Sequence, residues 1–131
     1  MSETSANPAD IASRYIYSKN DYSSNGVKHS AFVPPSAYPN ELSVCIISNL
    51  PEPEIWKIGA ETRKDKPIKA RADMLVSAVQ EISDEQGGFL QVLIDGIPHP
   101  RHANIKNLPL QISLQRVVAT ELAKKSKLTM S

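Results

Sequence analysis

The sequence predicts an α+β fold, in which a mixed or antiparallel sheet of about four or five strands packs against two or three helices. Strand-like apolar runs and segments of helical spacing intermix within only 131 residues. Near the N-terminus, the turn-forming segment Lys19 to Gly26 separates two short strand-like stretches and predicts an early hairpin. An early hairpin favours α+β, so a doubly wound parallel α/β sheet is the second choice.

The first predicted elements are the two strands of that hairpin. Tyr15–Tyr17 is rich in β-forming residue types, and Val27–Val33 can pair back on it. Asn25-Gly26 marks the turn because both residues tolerate a positive φ. Residues 1–12 are small and polar. We therefore expect a flexible tail over residues 1–12 and a single globular domain over residues 13–131.

The central elements are a buried strand, a helix and a short alternating strand. Glu41–Ser48 has an almost unbroken apolar interior, which indicates a strand covered on both faces. Asn49 to Glu54 contains a capping residue, early prolines and acids, which predict a helix from about residue 51 to the low 60s. In Pro67–Ala72, apolar and basic side chains alternate, as in a strand with one polar face.

Two helices and one strand complete the predicted order. Asp73 can cap a helix that begins at Met74. Phe89–Ile94 is an apolar run of strand length that ends at a turn. Leu110–Lys125 has apolar residues on one helical face, and its terminal lysines suit the negative end of the helix dipole.

Charge and cysteine content narrow the class of protein. Fifteen basic and fourteen acidic residues leave a net charge of +1, which excludes a nucleic-acid binder that acts through bulk charge. The one cysteine, Cys45, lies in an apolar run and cannot form an internal disulfide, which predicts a cytoplasmic protein. No apolar stretch has the length of a membrane span, and Met1–Pro8 lacks the features of a secretion signal.

Several common catalytic motifs do not occur in the chain. It has no glycine-rich phosphate loop, no serine flanked by glycines in a nucleophile elbow, no His-Glu-x-x-His and no Cys-x-x-Cys. These absences disfavour P-loop hydrolysis, serine hydrolase chemistry, zincin proteolysis and zinc-finger binding. No cofactor is predicted.

Functional side chains concentrate in Pro98–His102, directly after the predicted strand Phe89–Ile94. This segment places His99, Arg101 and His102 on a proline-stiffened loop at the end of a rigid element. One imidazole can take up a proton, the other can donate one, and a guanidinium can stabilise developing charge. His99, His102 and Arg101 are therefore the predicted catalytic residues if the protein is an enzyme acting on a phosphoester or ribosyl substrate.

The same loop suits binding without catalysis. Arg101 offers a two-pronged donor for a phosphate, and Lys69 and Arg71 would join the patch if their strand neighbours Phe89–Ile94. Arg14, at the start of the first predicted strand, is a further candidate phosphate contact. The leading expectation is therefore a small binding or accessory module that contacts a nucleotide or nucleic acid through Arg14, Lys69, Arg71 and Arg101.

Three other interpretations of these segments remain open. The least favoured is a bound metal, and no metal ligand is assigned, because His-x-x-His supplies at most two of the three or four protein ligands that zinc requires. Pro98 and Pro100 also suffice to explain the segment as a simple connection. A protein–protein adaptor is the third class of function, with contacts at Pro34–Pro39 and Tyr22. A protein partner or a homo-oligomer would suit so small a core.

Overall fold

The protein is built around one antiparallel sheet. The computed structural model describes residues 3–86, 88 and 90–131. The sheet contains seven strands: β1 (Thr4–Ser5), β2 (Ile11–Ile16), β5 (Leu42–Ile46), β6 (Ala70–Leu75), β7 (Gln91–Ile94), β8 (His102–Lys106) and β9 (Lys127–Met130). Their spatial order is β1-β7-β8-β5-β2-β6-β9. Two further strands, β3 (Tyr22–Ser23) and β4 (Gly26–Val27), form a separate ribbon.

Helices cover both faces of this sheet. The described residues form α1 (Glu52–Thr62), α2 (Val76–Gln86) and α3 (Ile112–Lys125). Buried side chains of α2 and α3 belong to the main core, whereas Ile55 and Ile58 of α1 pack with Cys45 and Ile47 in a smaller cluster on the opposite face. Within the described ranges, no helix is long and apolar enough to cross a membrane.

The predicted α+β class is therefore confirmed, with more strands than expected. Every pairing between described strands of the sheet is antiparallel, so the parallel α/β alternative is wrong. The predicted helices near residues 51–62 and 110–125 are confirmed as α1 and α3. Phe89, the first residue of the predicted strand 89–94, lies outside the described residues; the remainder contains β7.

The register places polar side chains together on the face that α1 covers. Ser13 of β2 pairs with Asp73 of β6 on one side and with Cys45 of β5 on the other. Cys45 pairs in turn with His102 of β8. Directly paired residues of antiparallel strands project from the same face. A row of polar groups therefore crosses the sheet, and α1 covers only part of it.

The predicted N-terminal hairpin is wrong. β2 pairs with β5 and β6 rather than with Val27–Val33, and His29–Phe32 forms a 3-10 turn. The Asn25-Gly26 turn does occur, with φ of 124° at Gly26, but it joins β3 to β4. Local turn chemistry was thus identified correctly, whereas the partner of the first long strand is distant in sequence.

The expected boundary at residue 12 falls inside β2, which begins at Ile11. Ahead of it, β1 pairs with β7, and the Ala6 amide donates a hydrogen bond of 2.9 Å to the Val92 carbonyl. Residues 1 and 2 of the predicted tail lie outside the described residues. A strand joins the edge of a sheet through its backbone N–H and C=O groups, which every residue type except proline has. The small polar side chains of this segment therefore gave no indication of the pairing.

Three other elements differ from their predictions. Asp73 lies inside β6 and accepts hydrogen bonds from Arg71 instead of capping a helix, and α2 begins at Val76. The predicted loop ends at Arg101, because His102 is the first residue of β8. The lysine-rich C-terminal end continues as β9 after α3. Each of these strands spans six residues or fewer, so its sequence pattern alone was weak.

Candidate functional site

A cleft opens on the polar face of the sheet, between the C-terminal end of α1 and the segment that leads into β8. Its volume is about 380 Å³, within the range of about 300–1,000 Å³ that small-molecule sites occupy. We call it the histidine cleft. It is lined by residues of β2, β5, α1 and the segment before β8: Arg14, Tyr15, Tyr17, Ser43, Val44, Cys45, Ile58, Thr62, Arg63, Pro98, His99 and His102.

Arg14 lines the cleft next to the point where the pairing of β2 with β5 ends. The pairing of β2 with β5 stops after Ser13 and Cys45. Beyond that point, Arg14 Nη1 donates to the Ser43 carbonyl at 2.8 Å, and Nε donates to the Ala31 carbonyl at 3.1 Å. Burial lowers the pKa of Arg14 from its usual value, and the charge of Asp21 opposes that effect. The guanidinium therefore satisfies a carbonyl that a strand partner would otherwise have bonded.

His102 is oriented by a carboxylate. Its Nδ1 lies 2.6 Å from Asp95 Oδ1, and Asp95 Oδ2 accepts a hydrogen bond of 3.0 Å from Asn104 Nδ2. Burial opposes ionisation of Asp95, but hydrogen bonds from His102, the Ile97 amide and Asn104 outweigh it and hold the pKa of Asp95 below 3.8. The ionised carboxylate keeps the proton on Nδ1 of His102. In the neutral ring, Nε2 is then a hydrogen-bond acceptor.

His99 has the opposite arrangement. Its Nδ1 accepts a hydrogen bond of 3.1 Å from the Arg101 amide, so Nδ1 carries no proton and Nε2 of the neutral ring does. The cleft therefore contains one imidazole whose Nε2 accepts and another whose Nε2 donates. This difference comes from two contacts, one with the Arg101 backbone amide and one with the Asp95 side chain. Residue types alone do not specify either contact.

Two tyrosines attach α1 to the sheet beside the cleft. Tyr15 Oη donates to the Ile55 carbonyl and Tyr17 Oη donates to the Gly59 carbonyl, each at 2.6 Å. Burial raises the pKa of both phenols, so they remain neutral donors. Because both acceptors belong to α1, these bonds fix the helical wall of the cleft relative to β2.

At the end of that wall, Arg63 lies partly exposed above the cleft. Its Nη2 contacts Asp65 Oδ2 at 2.8 Å, and its guanidinium carbon is 5.6 Å from the centre of the Tyr17 ring. The side chain of Arg63 is 44% exposed, so it can reach a bound ligand without losing buried contacts. It supplies the second guanidinium of the histidine cleft.

Replacing Gly59 with alanine is expected to lower the free energy of unfolding by up to about 2 kcal/mol, because the added methyl group overpacks this junction at a cost of about 1–3 kcal/mol. An added Cβ would lie 2.5 Å from Ile68 Cδ1 and 2.6 Å from Tyr15 Cε1. That cost outweighs the gain of about 1 kcal/mol that alanine normally brings to a helix. Urea denaturation measures the change, with exposed Lys57→Ala as the control within about 0.5 kcal/mol of wild type. A more stable Gly59→Ala protein would contradict the packing of α1 on Tyr15.

The structure brings together only some of the predicted site residues. Arg14, His99 and His102 line the histidine cleft. Arg101 does not line it, because its Nη1 donates to the Ser48 carbonyl at 3.0 Å and anchors the loop. Lys69 is half-buried directly before β6 and is also not part of the lining.

Arg71 lies in a separate groove, where its buried guanidinium pairs with two carboxylates. Its Nε is 3.0 Å from Asp73 Oδ2, its Nη2 is 2.8 Å from Glu52 Oε2, and its guanidinium carbon is 4.8 Å from the centre of the Trp56 ring. The Arg71 side chain is only 6% exposed. The expected joint patch of Arg71 with the histidine loop therefore does not form, and Arg71 connects α1 to β6.

Residues that sequence reasoning missed include Ser43 and Arg63. Ser43 is exposed within the otherwise buried strand β5, and a lone polar residue in an apolar run was the signal that could have indicated it. Arg63 lies in a charged segment whose pattern distinguishes none of its members. Of the predicted adaptor contacts, Tyr22 packs at the edge of the main core and Pro34 is buried, whereas Tyr38 is 62% exposed.

Comparison with known proteins indicates no function, so the function is inferred from the geometry of the site. The chain matches no protein-family model, no curated protein and no solved structure. In the part of the chain that the structure describes, no group of three or more His, Cys, Asp or Glu side chains could hold a metal ion.

Proposed function

We propose that the protein is a small binding module whose histidine cleft holds a phosphate-bearing ligand. The observation that carries this proposal is the charge of the lining. Arg14 and Arg63 carry positive charge, the neutral His99 ring adds an N–H donor, and none of the described lining residues is an aspartate or glutamate. Guanidinium groups and imidazole N–H groups are the donors that phosphate oxygens accept.

The remainder of the lining favours an organic phosphate over inorganic phosphate alone. Val44, Cys45, Ile58 and Pro98 add apolar surface, and the rings of Tyr15 and Tyr17 lie beside it. The net charge of the chain is +1, and the described lining of the cleft forms no extended basic track, which nucleic acids need. A mononucleotide or a similar small phosphate ester therefore fits better than a polymer.

Replacing Arg63 with alanine is expected to weaken binding of the phosphate ligand about ten- to hundredfold, since hydrogen bonds to charged groups contribute about 1.5–3 kcal/mol. The probes are a panel of nucleoside monophosphates, inorganic phosphate and a short RNA, each titrated calorimetrically at two salt concentrations. Affinity for the best ligand should fall as salt rises. Lys64→Ala is the matched control, because Lys64 is the exposed neighbour and does not line the cleft.

Two results would refute this function. The first is a folded protein that binds none of these probes at physiological salt. The second is a ligand whose affinity is the same for wild type, Arg63→Ala and His99→Ala. Preference for the RNA over every mononucleotide would instead show that the ligand class is a polymer.

A further inference from the structure

We propose that the histidine cleft hydrolyses phosphodiesters, with His102 as general base and His99 as general acid. The proposal rests on the proposed function, because the diester must first bind among the cations of the cleft. It adds a reaction to that binding site and a role for each imidazole. The complementary hydrogen-bonding states of the two rings carry it.

Asp95, which orients the base His102, accepts more hydrogen bonds than a simple turn requires. Asp95 already accepts a backbone hydrogen bond of 3.3 Å from Ile97, which is sufficient for a local turn. In addition it binds His102 Nδ1, and it accepts from Asn104, a residue that is only 6% exposed. Burying an amide to orient a carboxylate costs free energy unless every partner is satisfied. The arrangement directs Nε2 of His102 to accept a proton, and Asp95 and Asn104 are positioning residues.

A backbone amide determines which ring nitrogen of the acid His99 carries the proton. The Arg101 amide occupies Nδ1 of His99, so the proton of the neutral ring is on Nε2. His99 and His102 line the same cleft. One proton donor and one proton acceptor are therefore available to a single bound ligand without any prior proton exchange between them.

The reaction balances with water as the only co-reactant. His102 Nε2 takes a proton from water as the water oxygen forms a bond to phosphorus. The bond from phosphorus to the leaving oxygen breaks, and that oxygen takes the proton of His99 Nε2. The products are a phosphomonoester and an alcohol, and proton exchange with solvent restores both rings.

The charge of the cleft is also sufficient for a phosphodiester. Arg63 is paired with Asp65, so much of its charge is already balanced, and Arg14 donates two of its N–H groups to backbone carbonyls. The small positive charge that remains matches the single negative charge of a diester.

Leaving-group dependence tests the two roles separately. The probes are bis(p-nitrophenyl) phosphate and a thymidine dinucleotide. The p-nitrophenolate of the first leaves without protonation, whereas the alkoxide of the second must be protonated in order to leave. His102→Ala should lower kcat about 10²- to 10⁴-fold on both. His99→Ala should lower kcat by a similar factor on the dinucleotide and only slightly on the nitrophenyl ester. His29→Ala is the matched control, because His29 lines a different surface pocket, beside Lys124, and should leave both rates unchanged.

The positioning role of Asp95 has its own readout. Asp95→Asn should lower kcat with little change in KM and should shift the acidic limb of the pH–rate profile, whereas Asp95→Glu should restore part of the rate. If His102→Ala unfolds, His102→Gln keeps a donor for Asp95 while it removes the base. Equal loss for Asp95→Asn and Asp95→Glu, with an unchanged pH profile, would overturn this role.

The outcomes distinguish the inference from the function on which it rests. Phosphate-ligand binding that depends on Arg63, with diester hydrolysis no faster in wild type than in His102→Gln, would overturn the inference alone. Absence of both binding and hydrolysis would overturn both. Equal slowing of the two substrates by His99→Ala would overturn the assignment of His99 as the acid.

Discussion

Replacing Arg71 with methionine is expected to lower the free energy of unfolding by about 3–5 kcal/mol, the usual cost of removing one partner from a buried ion pair. The Arg71 and Asp73 side chains are 6% and 15% exposed, so Asp73 would remain poorly solvated without a counter-charge. The substitution also removes the guanidinium that stacks on Trp56. It therefore weakens the attachment of α1 to β6 as well as the ion pair.

Equilibrium urea denaturation of three variants isolates that effect. The double variant Arg71→Met/Asp73→Leu should be much more stable than Arg71→Met, because no unpaired charge remains. Glu52→Gln should cost less than about 1 kcal/mol, since Glu52 is 59% exposed and pairs from the surface. A single variant Arg71→Met as stable as the double variant would show that Asp73 does not depend on Arg71.

Replacing Phe32 with alanine is expected to lower the free energy of unfolding by about 3–5 kcal/mol, because it leaves a cavity in the core. Phe32 is 0% exposed and ends the 3-10 turn His29–Phe32, which packs against α3. The preceding residue, Ala31, supplies the carbonyl that Arg14 Nε contacts at 3.1 Å. A loosened turn should therefore also weaken phosphate binding in the histidine cleft.

Conservative and exposed substitutions provide the controls for Phe32. Phe32→Leu should retain most of the stability because it keeps much of the buried volume. Val33 is 46% exposed, and Val33→Ala should stay within about 0.5 kcal/mol of wild type. Thermal and urea unfolding measure all three, and a loss below about 1 kcal/mol for Phe32→Ala would contradict its place in the core.

The candidate site was predictable where chemistry and chain position coincide. His99 and His102 lie close together in sequence at the end of a rigid strand, and both line the cleft. Arg14, predicted as a phosphate contact from its place at the first strand, lines it as well. What no residue pattern indicated is the tautomer of each imidazole, since it depends on the Arg101 amide and on Asp95.

The other cations show why residue type is not sufficient. Arg101 and Arg71 have the same charge as Arg14, yet one anchors a loop at Ser48 and the other is enclosed by Asp73, Glu52 and Trp56. Their roles depend on which strand neighbours which. His102 of β8 pairs with β5, and β2 separates β5 from β6, the strand that contains Arg71. Arg71 and His102 are therefore not on neighbouring strands.

The sequence by itself determined the α+β class, the approximate positions of α1 and α3, the buried strand β5 and the chemistry available at residues 98–102. Those features follow from local periodicity, capping and turn residues, which act over a few positions. The tertiary structure alone decided that the sheet has seven strands and that Cys45 lies opposite His102. It also decided that Arg14 bonds the Ser43 carbonyl and lines the histidine cleft. Strand partners are selected by burial and backbone pairing between distant segments, and a shift of one residue in register would turn every side chain of a strand to the other face.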